Sequence, residues 1–146
     1  MKWLDSSLKQ HIKGVNFLLV NFDRKVLIQM RDKGIKKFPG QFAVPGGAIE
    51  VGEYPDMAVV REAREETGLK LCPTDFVHLG NFCYVMDKKL RVNSFYVCLV
   101  PNPDDVQSLE GEMIWLDMDY AEGLTLARGT NLLMPRVREF LQALQF

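Results

Sequence analysis

Between Gly47 and Leu69 the chain reads GAIEVGEYPDMAVVREAREETGL, a glycine turn opening onto a segment of helical periodicity. The segment predicts a helix beginning around Tyr54 to Asp56, with Pro55 tolerated in its first turn, that buries Val59, Val60, Ala63 and part of Thr67. Residues three and four apart on a helix are surface neighbours, so Glu62, Glu65 and Glu66 share one face beside that apolar stripe. As a stability device this is poor. Like charges at that spacing cost roughly 0.2 to 0.5 kcal/mol, and Gly68 is a natural C′ stop that leaves Glu65 and Glu66 at the unfavourable end of the helix dipole. Local rules broken together mark a functional site, and three adjacent carboxylates suit a divalent cation.

A blander reading is a solvated acidic face in which Arg61 pairs with Glu65 four residues on. The flanks weigh against it. Pro45, Gly46 and Gly47 form a tight loop, Glu53 follows after a spacer, and Arg61 sits directly before Glu62, so several residue types stand at fixed offsets.

Around this segment the chain reads as alternating strands and helices. Gly14 to Asn21 and Lys25 to Arg31 are expected strands joined at Phe22-Asp23-Arg24, then a loop ends at Pro39-Gly40 and Phe42 to Val44 is a short strand delivering the glycines. Phe76 to Met86 and Leu90 to Val100 flank the hairpin turn Asp87-Lys88-Lys89, and a strand over Met113 to Asp117 precedes a last helix carrying Val137, Phe140, Leu141 and Leu144. No repeat, low-complexity tract or linker divides residues 1–146, so one layered α/β domain with a mixed sheet between helices is expected. A length of 146 residues at 47% hydrophobic content is enough for one real core.

Gly47, five residues, Glu53, seven residues, then Arg61-Glu62-Ala63-Arg64-Glu65-Glu66-Thr67-Gly68-Leu69 resembles a complete Nudix box, with Ala63 and Leu69 at its aliphatic positions. The box covers a short part of the chain, and the flanks, VLIQMRD before it and an aliphatic-aromatic strand pattern after it, resemble the family too. The resemblance implies an α/β/α sandwich and a Mg2+- or Mn2+-dependent pyrophosphohydrolase. It implies that Glu62, Glu65 and Glu66 hold the metals with the main-chain carbonyl of Gly46, and that Glu53 and Arg61 brace the loop against the helix. Divalent ions in such a site supply a more acidic water and neutralise phosphate charge. Glu62 or Glu65 would accept the proton of the attacking water, and the sequence does not separate the two. Related enzymes also recruit a glutamate from a later loop; here Glu110 and Glu112 precede MIWLDM, and Glu112 is preferred.

Substrate choice must come from outside the box. Arg31, where related enzymes often contact the nucleotide, suits phosphate oxygens by its forked guanidinium, the alternative being a surface salt bridge. Asn131 resembles the base-reading asparagine of oxidised-guanine triphosphate hydrolases, although it and Thr130 are equally ordinary N-caps for the last helix. Phe82, Tyr84, Phe95 and Tyr96 could stack on a base, but alternation along a strand sends most of them to the core. His11 and His78 have no ligand-like spacing. The expected substrate is a nucleoside di- or triphosphate derivative. Unmodified or oxidised nucleoside triphosphates lead, followed by nucleotide sugars, then dinucleoside polyphosphates and pterin triphosphate. The rival reading is a non-catalytic nucleotide-sensing module, against which the complete carboxylate set stands.

A formal net charge of -1 with no basic tract gives no footprint for a nucleic-acid polymer. Cys72, Cys83 and Cys98 form neither a C-x-x-C pair nor an even disulfide framework, which points to reduced thiols and a cytoplasmic protein. MKWLDSSLKQH lacks a continuous apolar stretch and the run around Phe17 to Val20 is too short to cross a bilayer, so no membrane partner is expected. Association into a homodimer is left open.

Overall fold

The computed structural model describes residues 2–4, 12–30, 41–124, 130 and 132–144. Its strands are β1 (Lys2–Leu4), β2 (Ile12–Val20), β3 (Lys25–Met30), β4 (Phe42–Ala43), β5 (Gly46–Ala48), β6 (Val77–Met86), β7 (Lys89–Leu99) and β8 (Glu112–Asp117). Its α-helices are α1 (Pro55–Thr67), α2 (Met118–Gly123) and α3 (Met134–Ala143). All the strands join one mixed sheet in the order β1-β6-β7-β2-β3-β4, with β5 added to β2 and β8 to β3. Only β2 and β7 run parallel among the described pairs, Asn16 opposite Phe95 and Val20 opposite Leu99.

Each long strand buries both faces, and residue alternation divides them between two cores. Val15, Phe17, Leu19, Tyr96 and Cys98 pack with Ala58, Val59 and Ala63 of α1. Leu18, Val20, Phe82, Tyr84, Phe95 and Val97 pack on the other side with Met118, Ala121, Met134, Val137 and Leu141 of α2 and α3. The result is the expected α/β/α layering. The four rings that could stack on a base, Phe82, Tyr84, Phe95 and Tyr96, of which most were expected in the core, are all buried there.

Local chemistry accounts for the boundaries. Asn21 Oδ1 accepts the main-chain N–H groups of Asp23 and Lys25, closing the β2–β3 turn. Pro55 opens α1, and Gly68 ends it in the left-handed region at φ 76°, its N–H bonding to Arg64 O. The last helix begins at Met134 with Leu133 at its N-cap, so Thr130 lies too far upstream to cap it. The cysteines are free, Cys72 exposed and Cys98 buried. Among the described residues no helix is long and apolar enough to span a membrane.

Candidate functional site

Gly46 and Gly47 stand on β5, which pairs antiparallel with β2 and sets Gly46 opposite Asn16 and Gly47 opposite Val15. Where a tight loop is expected from the sequence, the glycines form a short strand paired with β2. A Cβ added to Gly47 would fall 2.1 Å from Glu62 Oε1, so the carboxyl lies directly against the Gly47 backbone. Only a residue with no side chain leaves that space.

Glu62 and Glu66 are 8% and 1% exposed, far more enclosed than a cleft-facing pair. The Glu65 side chain, at 54%, faces outward. Burial holds the Glu62 carboxyl above the ordinary carboxylate range; neighbouring Glu65 and Glu110 push it the same way, while Arg61 pulls it down.

Arg61 sits at the centre. Its Nε donates to Glu53 Oε2 at 2.8 Å and its Nη2 to Glu53 Oε1 and Ala48 O, each at 2.9 Å. Its Nη1 donates to Glu62 Oε1 at 3.0 Å and Glu65 Oε2 at 3.2 Å. The grip on Glu53 is the bidentate fork geometry, and it holds the Glu53 carboxyl below the usual range. Glu53 Oε1 also accepts the Glu50 N–H at 3.1 Å, so the spacer loop is tied to α1 through one guanidinium.

Among the described residues no three His, Cys, Asp or Glu side chains surround one point at ligand spacing. Glu62 and Glu65 turn to Arg61, and the internal cation offsets the repulsion that three clustered carboxylates would otherwise suffer. The donors are nevertheless all hard oxygens, the kind Mg2+ and Mn2+ take, and the Glu65 side chain stands more than half exposed. In donor chemistry the residues fit a divalent ion.

The segment after β7 clasps the end of α1. Gln107 N–H donates to Thr67 O at 2.9 Å and Leu109 N–H to Glu66 O at 3.0 Å, satisfying carbonyls that the helix leaves open. Gln29, only 3% exposed on β3, donates from Nε2 to Glu110 O at 2.7 Å. Glu110 is thereby held where its charge acts on Glu62. Glu112 opens β8 opposite Met30 and is exposed. It alternates with Met113 and Trp115, which pack on the α1 side, so its side chain leaves the sheet on the other face.

A cavity of about 200 Å3 opens at Gly46 and Gly47 on the sheet face that carries Tyr84 and Val44. Lys13, Asn16, Gln29, Arg91 and Asn93 supply its polar wall, and no carboxylate lines it among the described residues. Arg91 Nε is buried and meets no hydrogen-bond partner among the described residues. None of these five was singled out from the sequence. The available signal was a polar residue interrupting an apolar strand, as in VNFLLV and VLIQM. Arg31 and Asn131, the expected substrate contacts, lie outside the described residues.

The NUDIX domain family model matches residues 10–131. The chain belongs to the NUDIX domain family. Among curated proteins, this NUDIX domain is 38% identical over 81 residues to the m7GpppN-mRNA hydrolase NUDT17 of Xenopus laevis, covering 51% of the chain and 27% of that protein. It is 47% identical over 51 residues to the ADP-ribose pyrophosphatase of Methanocaldococcus jannaschii, 35% of the chain and 29% of that protein. It is 39% identical over 75 residues to the nucleoside triphosphatase NudI of Klebsiella pneumoniae, 51% of the chain and 49% of that protein. The matches thus span half or less of these relatives. Among solved structures, a MutT protein from Methanosarcina mazei superposes with a TM-score of 0.75 at 25% identity, over 88% of this chain and 93% of that one. The NUDIX domain of Shewanella oneidensis NrtR, solved with ADP ribose, gives 0.72 at 21% identity over 94% of each chain. The latter likeness is one of fold.

Proposed function

We propose that this NUDIX domain hydrolyses a phosphoanhydride bond in a nucleoside di- or triphosphate derivative with the aid of Mg2+ or Mn2+. The observation that carries the proposal is the packing of the Glu62 carboxyl against Gly47, on a helix that also carries Glu65 and Glu66 three and four residues on. Gly46 O, Glu62, Glu65 and Glu66 are the groups that would hold the ions. Glu110, whose charge acts on Glu62, takes the later-loop role in preference to Glu112. Arg61 holds Glu53 and so keeps the loop in register with α1. Glu62 or Glu65 accepts the proton that the attacking water gives up.

The cavity beside Gly46 supports a nucleotide as the remainder of the substrate. Its cations, Lys13 and Arg91, suit an electron-rich group. Unmodified or oxidised nucleoside triphosphates lead, with nucleotide sugars and dinucleoside polyphosphates next. The names of the relatives, which include a capped-RNA hydrolase, an ADP-ribose pyrophosphatase and a nucleoside triphosphatase, share this chemistry. A non-catalytic ligand sensor is disfavoured by the full set of box carboxylates.

The test is a panel of nucleoside triphosphates, nucleotide sugars, dinucleoside polyphosphates and capped RNA, assayed with Mg2+ or Mn2+ and with products identified. Turnover of at least one compound is expected, and Glu65→Gln should lower its kcat roughly 100-fold, on the scale of a lost general base or more. Ligand binding with no turnover anywhere in the panel would leave the sensor reading standing instead.

A further inference from the structure

Asn16 interrupts an apolar strand, between Val15 and Phe17, and is 2% exposed. A buried primary amide is costly unless its groups are bonded, so its partners show what holds it there. Nδ2 donates to Val44 O at 3.1 Å and to Pro45 O at 3.4 Å, and Oδ1 accepts from Asn93 Nδ2 at 2.7 Å. Only this orientation satisfies both sides, because the two carbonyls can accept and cannot donate. Asn93, 7% exposed, lines the cavity from β7 and so fixes which way the Asn16 amide faces.

The two carbonyls belong to the residues directly before Gly46. Pro45 O also accepts the Phe17 N–H at 2.9 Å, and a Cβ on Gly46 would come within 2.7 Å of Asn16 Nδ2 and 2.1 Å of Val15 O. The Gly46 peptide is therefore pressed onto β2 with the Asn16 amide as its footing. Loop backbone that must present a carbonyl in one direction needs such a footing, since outer partners of a ligand set its aim.

We propose that Asn16 is a positioning residue that aims the Gly46 carbonyl at the metal site, and that Asn93 locks Asn16 in the required orientation from the wall of the substrate cavity. This rests on the reading of Gly46 O as a metal ligand given under Proposed function. Both side chains lie on the cavity face of the sheet, and their hydrogen bonds run from the cavity wall to the carbonyl directly before Gly46.

The test uses the neutral variants Asn16→Leu and Asn93→Leu, which keep side-chain volume close to the original and change no charge. Mn2+ binding to the free protein is followed by electron paramagnetic resonance, thermal unfolding by circular dichroism, and kcat and KM on whichever panel nucleotide turns over. Asn16→Leu should weaken Mn2+ binding and lower kcat, each by about tenfold, the lower end of what a lost outer partner costs, with KM little changed. Asn93→Leu should weaken Mn2+ in the same direction and raise KM, because its side chain also lines the cavity. A folded Asn16→Leu protein that binds Mn2+ as the wild type does overturns the proposal. If Asn16→Leu does not fold, unchanged Mn2+ affinity in Asn93→Leu overturns it equally. Weakened Mn2+ binding in a protein whose wild type cleaves nothing in the panel upholds the role of Asn16 while removing the hydrolase reading. A wild type that binds no Mn2+ removes both.

Discussion

At the scale of single residues, Arg61 carries more of the site than any carboxylate does. It donates to Glu53, Glu62, Glu65 and Ala48 O at once, tying together a loop, a strand and a helix. Its side chain is 22% exposed and that of Glu53 is 13%, so the pair is too enclosed to be discounted as a surface contact. Arg61→Ala should cost about 2 kcal/mol, the value of a hydrogen bond to a charged partner, or a fall of roughly 4 to 8 °C in Tm, together with activity. A melting curve matching the wild type with activity lost would confine Arg61 to chemistry. The presence of Arg61 and Glu53 was legible in the box spacing. The depth of Glu62 and Glu66 was not, because helical periodicity gives the face a residue shares and says nothing of what covers that face.

At the scale of elements, the strand, helix and hairpin boundaries follow from the sequence to within about two residues wherever a run is long enough to show its period. The hairpin of β6 and β7, with Asp87 and Lys88 at positive φ, is such a case. The misses are short: β1 has three residues, α2 six, and β5 reads Gly-Gly-Ala, which has no side-chain pattern to betray a strand. The choice between Glu110 and Glu112 also belongs to this scale, since it turns on the register of β8 against β3, set by contacts far apart in the chain. The β5–α1 packing makes a direct prediction. Gly47→Ala places a methyl 2.1 Å from Glu62 Oε1 and must displace the helix or the carboxyl. Overpacking of this kind costs about 1 to 3 kcal/mol. Urea unfolding should show that loss, and hydrolysis should fall with it; a variant of native stability and rate would mean that Glu62 moves aside freely.

At the scale of the whole molecule, two cores share one sheet, and the core under α1 holds a tyrosine and a cysteine that resist ionisation until strongly alkaline pH. Tyr96 is pushed up to about 12 and Cys98 to about 11, in both cases chiefly by burial, with Asp56 and Asp75 adding like charge. Both pKa values are raised on folding, so the stability they contribute is complete at neutral pH and is lost as pH rises through the folded values. Denaturant midpoints should hold steady to about pH 9 and then decline toward pH 12. An unchanged midpoint across that range would show that these groups ionise without opening the α1 core. The order of the layers was readable from the sequence. The partition of polar residues between the two faces was not, since it depends on which strands lie side by side.

The clasp of Gln107 and Leu109 on the end of α1 has a dynamic corollary. Because those amides complete the last turn of the helix, the carboxylate of Glu110 is geared to the helix that carries Glu62, Glu65 and Glu66. Opening the mouth of the site therefore cannot proceed by swinging that segment away alone. Either helix and segment travel as one rigid jaw, or the final helical turn frays first, and amide exchange at Gln107 and Leu109 is the clock on which the latter would run.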